Sequence, residues 1–221
     1  MSVGRVDRDT LLRDGVRERV RADGHGHLLM ADEAVEASLA AMLSRRTPGE
    51  PVWVFGYGSL IWSPMLHFAE QRVAQVRGYH RGFYLWSKVN RGTPQQPGLV
   101  LGLDRGGACG GVAYRIDETL IAQELALLWR REMLMGTYVP RWVHAQTPAG
   151  PVRAIAFVVD RSKPGYAGRL SDEEIVRVVA SAHGQYGSCA DYLLSTAEGL
   201  ARHGITDSRL ARLHRLLRAS R

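Results

Sequence analysis

Two segments concentrate groups suited to chemistry. In the first, "VWVFGYGSLIWSP" (Val52 to Pro64), an apolar run breaks at Gly56-Tyr57-Gly58-Ser59 and then resumes. Glycine permits positive φ and close ligand approach, and successive N–H groups in such a turn can form a concave anion site. Ser59 adds a hydroxyl. The residues leave two readings open, a backbone cradle or a tight turn between core strands. A phosphate loop is excluded, because its Lys and its glycine spacing are absent. A nucleophile elbow would need Gly-x-Ser-x-Gly, which is also absent.

The second segment is "LLWRREMLMGTYVPRW". Its helical apolar pattern runs to Trp129, and then Arg130, Arg131 and Glu132 precede Met133, Leu134 and Met135. An acid among apolar neighbours at a helix end is desolvated, which raises its pKa and makes it a proton acceptor near neutrality. The alternative is a surface Glu paired with Arg130 or Arg131. His25 and His27 in "DGHGH" lack a second ligand pair, and no His-Glu-x-x-His or Cys-x-x-Cys occurs, so no metal is expected. Cys109 lies in a glycine loop and Cys189 at a helix start. Both read as structural free thiols, not as a disulfide or a nucleophile.

The elements that must position these groups follow from periodicity. Residues 1–50 read as a helical N-terminal extension, with Ala34, Val35, Leu39, Met42 and Leu43 on one side of a helix that ends at "TPGEP". A strand covers Val52 to Phe55. "QRVAQVRGYHRGFYLWS" shows β alternation, with Val73, Val76, Tyr79, Phe83 and Leu85 expected inside. "RGTPQQPG" is a loop, and "LVLGLDRGGACGGVAYRI" reads as a hairpin of two apolar runs joined by glycines. A helix follows from Asp117, with Leu120, Ile121, Leu125, Leu128 and Trp129 on its apolar face. "YVPRWVHAQT" and "VRAIAFVVD" form a strand pair joined at "PAGP". Ser171 and Glu174 make a capping box, and "CADYLLSTAEGLARHG" is a helix closed by Gly204. The predicted class is α+β, with a small antiparallel or mixed sheet, closed as a barrel in one version, and flanking helices.

The 221 residues suffice for one large core, and 45% hydrophobic with 23% charged residues is ordinary for a globular protein. No apolar window is long enough for a membrane span, and the charged N-terminus lacks a signal core, so a cytoplasmic protein is expected. The net charge of +7 is carried almost entirely by arginine. Much of it lies in "DSRLARLHRLLRASR", where Leu210, Leu213, Leu216 and Leu217 predict a helix laid on the body. A nucleic-acid arm is the lesser reading, since no groove-reading module accompanies it.

In this order, "VWVFGYGSLIWSP", "RGTPQQPGLVLGL", "GGVAYRI", "LLWRREMLMGTYVPRW" and "CADYLL" closely resemble the ChaC family of glutathione-specific γ-glutamylcyclotransferases, some of which carry an older label of cation transport regulator. The resemblance runs from about Val52 to the end, so residues 51–221 are assigned as the catalytic domain. It implies a γ-glutamylcyclotransferase-like α+β fold with a small mixed β-barrel and peripheral helices. It also implies a carbon–nitrogen lyase that needs no metal or cofactor: the α-amine of the γ-glutamyl group attacks its own side-chain carbonyl, forming 5-oxoproline and releasing Cys-Gly. The family's catalytic acid maps onto Glu132, and its substrate loop onto Tyr57, Gly58, Ser59 and Leu60. Its pocket tyrosines map onto Tyr138 and Tyr192. Arg91 is either a partner for a glutathione carboxylate or a surface loop arginine, and Glu124 is a further candidate for placing an ammonium. The expected partner is a small molecule, glutathione, with no nucleic acid and no membrane, acting on a monomer or weak homodimer. Two alternatives stay open: a cyclotransferase for other γ-glutamyl compounds, or a non-catalytic γ-glutamyl-binding regulator.

Overall fold

The structure, a computed structural model, describes residues 7–219. Its centre is a closed five-stranded barrel of β1 (Trp53–Gly56), β2 (Phe68–Ser87), β3 (Gly98–Ile116), β4 (Tyr138–Thr147) and β5 (Gly150–Val159). The strand order is β1-β3-β2-β4-β5, and β5 returns to pair with β1. That last pairing is parallel, while β1–β3, β2–β3, β2–β4 and β4–β5 are antiparallel. β1 lies between two strands and is covered on both faces, so all four of its residues are buried. The interior of so small a barrel has little room. Ala74, Ala113, Ala145, Ala154 and Ala156 fill it around Phe55 and Tyr57.

Two corrections to the sequence reading concern β2 and β3. The segment 98–116 is one strand and not a hairpin, paired along almost its whole length with β2. Gly106 and Gly107 adopt φ of 103° and 69°, opposite Gly78 at 82°. There the register shifts between Arg77 and Tyr79, so the glycines bulge and bend a continuous ladder where a turn was expected. Val73 is exposed at 41%, whereas Val76 is buried. These residues are three apart with no register shift between them, so a two-residue repeat sends them to opposite faces.

Helices cover the barrel on two sides. α5 (Ile121–Glu132) follows a short 3-10 turn that is capped by the Asp117 side chain. It buries Ile121, Leu125, Leu128 and Trp129 against Val54, Ile116, Ile155 and Phe157. Elsewhere, α6 (Asp172–Ser181), α7 (Cys189–Arg202) and α8 (Ser208–Ala219) pack on Leu99, Leu101, Val112 and Tyr114. The Ser171–Glu174 capping box forms, and Leu210, Leu213 and Leu217 are buried, so α8 does lie on the body. Cys109 and Cys189 are free and buried. Among the described residues no group of acids, histidines and cysteines could hold a metal, and no helix is long and apolar enough to cross a membrane.

Ahead of the barrel lie α1 (Arg8–Leu12), α2 (Gly15–Ala22) and α3 (Asp32–Leu43). Met42 is buried against the α5 side of the barrel, with Val35, Leu39 and Leu43 packed beside it. Leu11 and Val16 pack on Leu127 and Leu134. This N-terminal segment is therefore stitched to the helix that carries Glu132.

Candidate active site

A cavity of about 720 Å³ opens between the end of α5, the short helix α4 (Ser59–Trp62), the start of α7 and the N-terminal segment. Glu132, Ser59, Tyr138, Tyr192 and Arg91 all line it. Glu132 is the last residue of α5, and its side chain is only 14% exposed. Burial raises its carboxyl above the ordinary glutamate value, and Arg131 pulls back in the opposite direction. The negative end of the helix dipole at this position adds to the disfavour of a second negative charge.

Arg131 joins the two segments read separately in the sequence. Its Nε pairs with a Glu132 carboxylate oxygen at 3.0 Å, one terminal nitrogen donates to Ser59 Oγ at 2.9 Å, and the other donates to Ser63 O at 2.6 Å. The acid and the glycine turn are thus held by one guanidinium. In the sequence Arg131 reads only as a surface partner for Glu132. No local pattern shows which way an arginine at a helix end will reach.

Around Glu132 stand three tyrosines whose own protons are held more tightly. Burial, with a contribution from the Glu132 charge, raises Tyr57 and Tyr138 well above the usual phenol value and Tyr192 to about 12, where the Leu101 N–H and Arg91 pull the other way. The Tyr138 hydroxyl donates to Leu101 O at 3.2 Å, and Leu101 N–H donates to the Tyr192 hydroxyl at 3.3 Å. One residue of β3 therefore fixes both rings. With its oxygen accepting from Leu101, the Tyr192 hydroxyl keeps a proton to give.

The residues of the turn separate by role. Tyr57 points into the barrel, where its hydroxyl donates to Phe157 O at 2.7 Å, while its carbonyl accepts from Arg81 at 2.8 Å. The Leu60 side chain is buried against the α5 side, and its carbonyl accepts from Tyr114 at 3.0 Å. Gly58 is N-cap to α4, and a Cβ there would sit 3.1 Å from the Tyr192 hydroxyl. Glycine keeps that approach open. At the start of α4 the first N–H groups have no acceptor one turn back within the helix. What this turn offers a ligand is main chain and the Ser59 hydroxyl, because the Tyr57 and Leu60 side chains face the core.

Arg91 sits in the loop between β2 and β3. Gln185 N–H to Val89 O at 3.1 Å and Tyr186 N–H to Asn90 O at 3.0 Å pin this loop. A Cβ on Gly184 would fall 2.6 Å from Arg91 N, so the two backbones touch. The Arg91 guanidinium lies 5.9 Å from the centre of the Trp62 ring and 5.5 Å from that of Tyr192. Glu124 is elsewhere. It is fully buried, bonded by Arg8 and His67, and is not part of the cavity. Leu11, Val16 and Leu28 of the N-terminal segment form one cavity wall, which the sequence reading missed because no motif marks it.

A family model described as "ChaC-like protein" matches residues 52–220. A glutathione-specific γ-glutamylcyclotransferase of Escherichia coli (strain K12) is 43% identical over 184 residues, covering 83% of this chain and 80% of that protein. Glutathione-specific γ-glutamylcyclotransferase 1 of Homo sapiens is 35% identical over 160 residues, covering 69% and 72%. In fold, the chain is similar to a γ-glutamyl cyclotransferase specific to glutathione from yeast, with a TM-score of 0.72 at 22% identity over 78% of this chain and 98% of that one. The barrel, its helices and these matches agree: the chain belongs to the ChaC-like family.

Proposed function

We propose that the protein is a cytoplasmic, cofactor-free γ-glutamylcyclotransferase that cleaves glutathione to 5-oxoproline and Cys-Gly, with Glu132 as the proton-transferring residue. The observation that carries this reading is a buried carboxyl in the same cavity as the glycine turn. The named activity of its relatives in Escherichia coli and Homo sapiens supports it. Residues 51–221 supply the catalytic domain, and residues 1–50 are an extension from which Leu11, Val16 and Leu28 close one wall. The working unit is a monomer or weak homodimer.

The substrate brings its own nucleophile, so no Ser or Cys need attack. Its α-amine nitrogen and γ-carbonyl carbon are the two ends of a five-atom chain, and holding them together removes much of the entropic barrier. The amine is an ammonium near pH 7 and must first lose a proton. Glu132, raised above an ordinary glutamate, accepts it. The nitrogen then bonds to the carbonyl carbon, and the negative charge moves to the carbonyl oxygen. In this reading, N–H groups of the Gly58–Leu60 segment and the Tyr192 hydroxyl hold that oxygen or the substrate carboxylate. The attacking nitrogen sheds its second proton to water, and Glu132 returns the first to the cysteine nitrogen as its bond to carbon breaks. The departing amine takes up the other from water, so protons balance across the reaction. Arg131 keeps the Glu132 carboxylate aimed and the turn in register.

Purified protein incubated with glutathione alone tests this reading. Mass spectrometry should show 5-oxoproline and Cys-Gly in equal amounts. Unchanged glutathione would overturn it.

A further inference from the structure

Of the 29 lysines and arginines in this chain, only two are lysines, Lys88 and Lys163. They are 75 positions apart in sequence, yet both line the same cavity as Glu132. Resting on the proposed glutathione reading, we infer that Lys88 and Lys163 form a subsite for the terminal carboxylate of the departing dipeptide and so select substrates that carry one.

The fold brings the two lysines to one rim. After β5 the chain turns at Asp160, whose N–H donates to Thr137 O at 2.9 Å, next to the cavity residue Tyr138. It then runs back along the end of β2: Trp86 N–H donates to Gly165 O at 2.9 Å, and Ala167 N–H donates to Tyr84 O at 2.8 Å. A β-bridge between Leu85 and Tyr166 completes the seam. Lys163 therefore sits just before this seam and Lys88 just beyond its β2 side. Both are exposed side chains on a backbone fixed at several points.

The other cations of the cavity have partners that hold them in place. Arg131 is bonded to Glu132, Ser59 and Ser63, Arg130 donates to Leu12 O at 3.0 Å, and Arg91 lies over Trp62 and Tyr192. Among the described residues, neither lysine takes part in an ion pair within 4 Å. Asp160, three residues before Lys163, is itself bonded by the Ser162 N–H and hydroxyl. A lysine is a compact charge on a long flexible stem, suited to following a mobile carboxylate. In an extended Cys-Gly unit that carboxylate lies about 7 Å beyond the scissile bond, within reach of the rim of a cavity this size.

The test compares glutathione with its glycine ethyl ester, using wild type, Lys88→Met, Lys163→Met and the double variant. Each substitution should raise KM for glutathione about three- to ten-fold with kcat nearly unchanged, because a group remote from the reacting carbon binds ground and transition states alike. The effects should combine in the double variant, and Lys163→Arg should restore most of the loss. Wild type should show the raised KM with the ester, and the substitutions should add nothing there. An unchanged KM for glutathione in the double variant, or an equal rise with the ester, overturns the subsite while leaving the cyclotransferase reading intact. Absence of glutathione turnover by wild type overturns that reading itself, and the subsite with it.

Discussion

Helix α5 carries two buried glutamates eight residues apart, and their surroundings make them opposites. Glu124 is fully covered. Burial alone would push its carboxyl up, but hydrogen bonds from Arg8 and from His67 N–H, with the Arg8 charge, outweigh burial and leave it below the ordinary value. Arg8 approaches both carboxylate oxygens, at 2.7 and 2.5 Å, and His67 N–H adds a third bond at 3.0 Å. Among the described residues, Glu132 has one ion-pair partner, Arg131, which it shares with Ser59, Ser63 and Pro64. Burial wins there and the carboxyl is raised. Burial alone therefore does not set the direction in which a carboxyl's pKa moves. The number of donors that saturate the carboxylate does.

The largest expected difference is in turnover. Glu132→Gln should lower kcat by about a thousand-fold or more, near the upper range for loss of a general acid–base. It should still bind glutathione, as calorimetry with substrate would show. The same change should not weaken the fold. A carboxyl raised on folding contributes stability below its unfolded pKa and loses it as pH rises through the folded value. At neutral pH the Gln variant should therefore melt at or above the wild-type temperature, and this advantage should vanish in acid. A clear fall in Tm at pH 7 would mean that Glu132 is a structural ion pair.

Glu124→Gln should invert that result. It leaves the Arg8 charge without its partner in a mostly buried place, at a cost of about 3 kcal/mol. The Glu124 carboxyl is lowered on folding, so its contribution is present at neutral pH and disappears as pH falls through the lowered value. The variant's deficit in thermal unfolding should be largest near neutrality and shrink in acid, while kcat below the melting temperature stays near wild type. Loss of activity in a folded Glu124→Gln protein would blur the distinction between the two acids.

How much of this was legible before the structure differs by kind of feature. Local chemistry read well. The Ser171–Glu174 box, the leucine stripe of α8 and the glycine turn all act within a few residues of themselves. What failed depended on partners distant in sequence. A glycine pair looks like a reversal until a facing strand is known, and only Gly78 opposite Gly106 and Gly107 shows that the ladder continues. Val73 reads as core by type, but the barrel's inward set at that point is Ala74 and Val76. Both readings of Glu132 remained open in the sequence because Arg131 can pair with it at a surface or inside a cavity. The wall from Leu11, Val16 and Leu28 lies more than a hundred residues before Glu132 and has no signature at all.

Arg131 is where the contrast between the two acids can be tuned. It lowers the Glu132 carboxyl against the effect of burial. Arg131→Met should raise that pKa further, so the acid limb of the kcat profile moves to higher pH and activity at a pH on that limb falls by about ten-fold per unit of displacement. Part of the loss should be recovered by raising pH. A profile with the wild-type acid limb but a lower plateau would show that Arg131 acts only by placing the turn.

The smallest effect belongs to the turn. Gly58→Ala puts a methyl 3.1 Å from the Tyr192 hydroxyl, which must yield by a few tenths of an ångström. A 1 Å error in such a site costs about a hundred-fold, so this shift should cost roughly ten-fold or less in kcat/KM. Tyr192→Phe removes the hydroxyl that the methyl crowds, and the double variant Gly58→Ala with Tyr192→Phe should be no worse than Tyr192→Phe alone. Additive losses would instead mean that the methyl blocks main-chain donors of the turn directly, and that Gly58 serves the substrate and not the tyrosine.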